Sequence, residues 1–228
     1  MLVLAALSQT ALAGERVPLS DRYADEVAAL VEAAHDSEIA YTRLQSLCDD
    51  IGHRISGSPE LERAIDWSWR RLDAAERRAL AGVSVFCGAF TLDAAEAVLD
   101  APADVHLADL VERHLVHHEG ERMRLLHGIR AFARTRLDAP IRHALQTRHA
   151  RWFVDRAAAG QLEFADLLAA HEACLTHAPA LAVAAGLAIA PRLHKRGPRT
   201  TYARIVHASA EAADALPDPA LKYATRLR

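Results

Sequence analysis

Lysine is almost missing from this chain of 228 residues: Lys195 and Lys222 are the only two, so nearly all of the 27 basic residues are arginine. That is a composition bias and not a binding signal, because 30 acidic residues outweigh the basic ones and the net charge is −3. Neither a global basic field for nucleic acid nor an acidic tail for a basic partner is present. Cysteine is equally sparse. Cys48, Cys87 and Cys174 lie far apart without a C-x-x-C, which excludes a disulfide scaffold and a thiolate zinc finger. Aromatic residues make up only 5%, and glycine (10) and proline (9) are few. No apolar run is long enough to span a bilayer. What remains is rich in alanine, about a fifth of the chain, with leucine, arginine and glutamate; all four favour helix. The expectation is a mainly α protein with enough chain to bury a core.

Residues 1–13, MLVLAALSQTALA, are apolar and end in Ala11-Leu12-Ala13 before Gly14-Glu15. This fits the hydrophobic stretch and small-x-small cleavage site of a secretory signal, without its positive amino-terminal region. The competing reading is a short buried helix. Residues 14–66 read as a helical leader. Ser20 caps a helix carrying Val27, Leu30 and Val31, and a second, over residues 37–49, carries Ile39, Leu44, Leu47 and Cys48. Gly52 and Gly57 then break the pattern, and Ser58-Pro59 starts a third helix. Proteolysis is expected to cut first between Ile51 and Pro59.

The leader carries Tyr41-Thr42-Arg43-Leu44, Ile51-Gly52-His53-Arg54-Ile55-Ser56-Gly57-Ser58 and Leu61-Glu62-Arg63-Ala64-Ile65-Asp66-Trp67. These segments resemble the amino-terminal end of secreted co-catalytic zinc aminopeptidases of the plasma glutamate carboxypeptidase type. The resemblance implies a dizinc site of two His, a bridging Asp and further carboxylates, with a Glu base. Its His-x-Asp and Glu-Glu motifs are not in this chain, so zinc hydrolysis is not expected.

Residues 67–138 are expected to form a winged helix. Asp73-Ala74-Ala75-Glu76 is a capping box that opens a helix with Leu80, Val83, Val85 and Phe86; Gly88 stops it. Thr91 caps a second helix, and a third covers residues 104–113. Residues 114–118 and 122–126, alternating around Gly120, predict a β-hairpin, and a closing helix begins near Gly128. Residues 139–228 continue as alanine-rich helices over 181–193 and 202–215, broken at Gly197-Pro198 and Pro217, in the manner of tetratricopeptide-like stacking. Leu227-Arg228 stand inside a helical pattern, which is expected of a truncated array.

Three segments carry a second resemblance. They are Ile65-Asp66-Trp67-Ser68-Trp69, the run from Glu76 through Phe86-Cys87-Gly88 to Val98, and Leu125-Leu126-His127-Gly128-Ile129-Arg130-Ala131-Phe132-Ala133. They resemble the winged helix of bacterial STAND regulators, signal-transduction ATPases with NB-ARC-like modules often joined to LuxR-type DNA-binding domains. Arg148-His149-Ala150-Arg151-Trp152-Phe153 resembles the helix that opens their helical arm. An acidic residue is usual in that family where His127 stands, and a hydroxyl residue where Gly128 stands. The resemblance implies a winged helix that transmits nucleotide state between an ATPase core and the arm. The chain has no G-x-x-x-x-G-K-[ST], hence no phosphate-cradling loop. The two resemblances meet within residues 61–69, as in a chimera of two gene segments.

The functional expectation is a non-enzymatic regulatory and interaction module, with neither a catalytic residue, a cofactor nor a metal. Its alternative is the amino-terminal part of an exported zinc aminopeptidase. The partner is a protein bound through the winged helix or the arm; no small-molecule substrate is expected. Regulator chemistry implies the cytoplasm, and a working signal implies export. Arg122, Arg124, Arg130 and Arg134, in a basic stretch that continues through Arg136, Arg142, Arg148 and Arg151, are the candidate docking or nucleic-acid contacts. DNA is the weaker of the two, because the helix over 104–113 carries Asp104, Asp109 and Glu112. His114, His117, His118 and His127 cluster at the hairpin, but strand alternation divides the first three between faces, which suits solvated histidines better than a tetrahedral metal site. Ser56 and Ser58 read as turn and cap residues, and Cys87 as a core thiol.

Overall fold

The computed structural model describes residues 22–52, 55 and 57–217. The signal-like segment 1–13, the Ser20 cap, His53, Arg54, Ser56 and the last residues of the arm lie outside the described residues, as does part of the expected proteolysis segment. The chain divides into two compact units, Met1–Gly52 and His53–Arg228.

In the first unit, α1 (Ala24–Asp36) and α2 (Ile39–Gln45) contain no buried residue. The second helix predicted here is shorter than expected: the backbone widens at Ser46–Ile51 into a π-helical turn. That turn ends at Gly52, whose φ of 76° only glycine adopts freely. The apolar stripe read from the sequence is present but uncovered. Val27, Leu30 and Leu44 are exposed, Leu30 by 70%, and Leu47 is half-buried.

Among its described residues, the second unit is helical apart from one small sheet. Its helices are α3 (Pro59–Arg70), α4 (Ala74–Val83), α5 (Leu92–Leu99), α6 (Asp104–Glu112), α7 (His127–Thr135), α8 (Ala139–Ala158), α9 (Phe164–Cys174), α10 (Pro179–Arg196) and α11 (Arg199–Asp214). The sheet is an antiparallel pair, β1 (His117–Glu119) and β2 (Arg122–Arg124). Caps set the helix starts. Ser58 Oγ accepts from Leu61 N–H at 3.2 Å, with Pro59 in the first turn. Thr91 Oγ1 accepts from Ala94 N–H at 3.3 Å. The capping box at α4 is complete: Asp73 Oδ1 accepts from the N–H groups of Ala75 and Glu76, and Glu76 Oε2 accepts from Asp73 N–H at 2.7 Å. The Glu76 N–H holds the Asp73 carboxyl below its ordinary range.

The hairpin is shorter than its sequence pattern. His114 takes a left-handed φ of 58° after α6, so the chain extends only from His117. Gly120, with φ 62°, leads a two-residue turn in the type II′ pattern. Beyond β2 a third segment joins: Phe90 exchanges two backbone hydrogen bonds with Met123, each 2.8 Å.

One core runs through this unit, from Ile65 on α3 through Val83, Phe86, Val98, Leu110 and Ala133 to Phe153, Leu167, Ile189 and Ile205. Each Val, Leu, Ile or Phe among them, fully buried, stabilises by about 1.5–3 kcal/mol. The helix α3 spans residue 66, where the sequence places its changeover, and supplies Ala64 and Ile65 to the buried set. The arm helices α10 and α11 begin before the predicted 181 and 202, because Pro179 and the Pro198-Arg199 step both serve as helix starts. Phe132 is half-buried, with its edge against Trp69 at 5.9 Å between centroids.

Candidate functional site: the loop between α4 and α5

The chain leaves α4 through Ser84 and Val85 and then makes five residues, Phe86 to Phe90, whose backbone is held from several directions. From the arm, the Asp166 carboxylate on α9 accepts from Cys87 N–H at 2.8 Å and Gly88 N–H at 3.2 Å. The same carboxylate lies 3.0 Å from His149 Nε2 on α8, which donates to it. From α7, Arg130 Nη1 donates to Cys87 O at 2.7 Å. From β2, the Arg122 guanidinium donates to Ala89 O and pairs with Glu163 at 2.7 Å. Phe90 is fixed by Met123.

Aromatic rings enclose this polar centre. Phe86 stacks on Phe90 at 4.4 Å and meets Phe153 edge-on, while the His149 ring lies 5.2 Å from Phe86 and 4.7 Å from Phe153. Asp166 and His149 are each 2% exposed. A buried carboxylate is tolerable here because two backbone donors and one imidazole donor surround it.

The residue types Cys, His and Asp also occur in nucleophilic sites, but the geometry does not activate this thiol. His149 spends Nε2 on Asp166, and no hydrogen bond joins its ring to Cys87. Burial, and after it the Asp166 charge, pushes the Cys87 thiol up, away from the reactive thiolate. The arrangement can hold two parts of the unit in one geometry.

The candidate arginines divide accordingly. Arg122 and Arg130 are tied into the loop, and Arg124 pairs with Glu119 at 2.9 Å on the outer face of the hairpin. Arg134 is half-buried and makes no ion pair with the described residues. Further along the basic stretch, Arg136 pairs with Asp66 at 2.7 Å and Arg148 Nε donates to Val98 O at 2.5 Å. Much of the basic stretch is therefore paired within the unit, with Arg124 and Arg136 still exposed. His114 lies off the strand, and His127 faces Arg130 at 3.3 Å. Among the described residues no three His, Cys, Asp or Glu side chains converge as metal ligands would, and no helix is long and apolar enough to cross a membrane.

The sequence reading missed Asp166 altogether, and placed Phe90 and His149 within resembling runs without giving either a role. The available signal was weak: Asp166 sits in the first turn of a helix, where an acidic residue is ordinary. No protein-family model, curated protein or solved structure matches this chain.

Proposed function

We propose that the chain is a non-enzymatic regulatory and interaction module, a winged helix continued by a helical arm, of the kind found in STAND-type regulators. The order α4, α5, α6, hairpin, α7 supports the winged-helix reading, with Phe90 as the short third strand beside the wing. The single observation that carries the function is the buried Asp166 carboxylate, which ties the arm helices α8 and α9 to the loop between α4 and α5. A module that passes a conformational state from one face to another needs such a stiff connection between its parts. The partner is a protein, an ATPase core, docked on the winged-helix side where Arg124 and Arg134 remain outside the loop network.

The test is a binding measurement between the purified chain and a STAND-type nucleotide-binding module from the same genome, loaded with ADP or with an ATP analogue. A one-to-one complex favoured in one nucleotide state, and weakened by Asp166→Asn, is the expected result. Absence of a complex in both states refutes the reading. Chelator-sensitive release of amine from aminoacyl anilides would instead favour the aminopeptidase alternative.

A further inference from the structure

We propose that the cleft at the turn between α10 and α11 binds a small organic phosphate, its anionic group held by Arg192, Lys195 and Arg196 and its aromatic body by Phe164. This inference is independent of the function proposed above.

The charge is set by the sequence. Between Glu172 and Glu211 there is no acidic residue, while Arg192, Lys195, Arg196, Arg199 and Arg204 all fall in that interval. Arg204 is neutralised by Glu172 at 2.8 Å. The other four make no ion pair with the described residues. A helix end needs only about half a charge to balance its dipole, so this cluster exceeds what α10 requires.

The shape gives these charges a focus. Three of the four line a cleft of about 760 Å³, whose remaining walls are Phe164, Pro191, Leu193, Gly197 and Pro198. That volume lies within the range of small-molecule sites, roughly 300–1,000 Å³, and an apolar floor with a few convergent charges is their usual composition. The Arg192 guanidinium stands 5.5 Å from the centroid of the Phe164 ring, so cation and aromatic surface face the same space.

The chemistry selects phosphate. Guanidinium forks and an ammonium together supply more donors and charge than one carboxylate can use, whereas a phosphate monoester carries nearly two charges and three acceptor oxygens. A single-stranded nucleic acid would need successive aromatic platforms along a basic groove, and the lining offers one aromatic residue, Phe164.

The experiment titrates the full chain with 4-methylumbelliferyl phosphate at low ionic strength, following ligand fluorescence polarisation. Inorganic phosphate, 4-methylumbelliferone and a labelled oligothymidylate are the comparison ligands. Saturable binding of the aryl phosphate is expected, tighter than that of either half alone. Arg192→Ala and Lys195→Ala should each weaken it about tenfold, the loss of one charge-assisted hydrogen bond. Phe164→Leu should weaken the aryl phosphate and leave inorganic phosphate unchanged. Arg151→Ala, an exposed cation outside the cleft, should have no effect. The cations substituted are exposed, and a thermal melt of each variant checks the fold. Four results would overturn the proposal: no saturation up to millimolar ligand, an equal loss in Arg151→Ala, an unchanged aryl phosphate affinity in Phe164→Leu, or tighter and steeply salt-dependent binding of the oligothymidylate.

Discussion

A Cβ placed on Gly88 would come within 2.9 Å of the Asp166 Oδ2. The closeness follows from the hydrogen bonds: to accept from Cys87 N–H and Gly88 N–H together, the carboxylate must lie against the loop backbone. Asp166 and Gly88 therefore define one contact, seen from its two sides.

Gly88→Ala forces the carboxylate away or bends the loop, and overpacking of this kind costs about 1–3 kcal/mol. Asp166→Ala leaves two half-buried N–H donors and the buried His149 ring without a partner, and should cost about 3–5 kcal/mol. Asp166→Asn keeps one acceptor and should fall between wild type and Asp166→Ala. Urea denaturation of the full chain measures the order. Because one contact is at stake, the double variant Gly88→Ala/Asp166→Ala should be less unstable than the sum of the singles. Additive losses would mean that the two residues act separately.

Local rules carried the sequence reading a long way here. Ser58, Asp73, Glu76 and Thr91 all cap the helices assigned to them, because a cap is decided within four residues of chain. The helices of residues 59–135 and the turn glycine of the hairpin were legible for the same reason, whereas α9, which carries Asp166, was not assigned. The site was not. Asp166 lies 79 residues from Cys87, and nothing local distinguishes a first-turn Asp that faces solvent from one that reaches a distant loop. The basic stretch shows the same limit: the distant carbonyl and carboxylate partners of Arg122, Arg130, Arg136 and Arg148 cannot be read from neighbouring residues.

The three thiols should react in a fixed order. Cys48 is exposed, Cys87 half-buried and Cys174 fully buried. Burial pushes the Cys174 thiol up to about 11, so almost no thiolate is present near neutral pH. Titration of the native chain with a chromogenic disulfide should show one fast thiol, lost in Cys48→Ser. A slower one follows for Cys87, and Cys174 should react only on unfolding. Fast modification of Cys174 in the folded chain would contradict its burial at the end of α9 beside Gln146 of α8.

Acid should destabilise the arm through His171. Its Nδ1–H donates to Ala182 O at 2.9 Å, so Nε2 is the unprotonated nitrogen, and it is buried without a partner. Burial, opposed in part by the Ala182 bond and the Glu172 charge, pushes this imidazole below its ordinary 6.5. A folded-state value below the unfolded one means that the unfolded chain takes up the proton first. Stability is therefore full above about 6.5 and falls as the pH drops below it. His177, stacked on His143 at 4.3 Å, is displaced in the same direction, chiefly by burial. Melting temperature should decline from neutral pH to pH about 5, and His171→Gln should make that decline shallower. An unchanged slope in His171→Gln would remove His171 as a cause.

Glu76 tests whether a cap or an ion pair dominates at the start of α4. Its Oε2 accepts from Asp73 N–H and its Oε1 meets Arg113 Nε at 2.9 Å, while the side chain itself is 3% exposed. The Arg113 side chain is 48% exposed, so water screens its half of the pair and Arg113→Ala should cost less than about 1 kcal/mol. Glu76→Ala removes the capping acceptor, strands the Asp73 N–H and empties a buried position, which together should cost about 2–3 kcal/mol. Glu76→Gln keeps an acceptor for Asp73 N–H and should cost about 1 kcal/mol. The expected order of loss by urea denaturation is Glu76→Ala, then Glu76→Gln, then Arg113→Ala. If Arg113→Ala instead matched Glu76→Ala, the charge pair between α4 and α6 would be the stabilising contact and the capping box incidental.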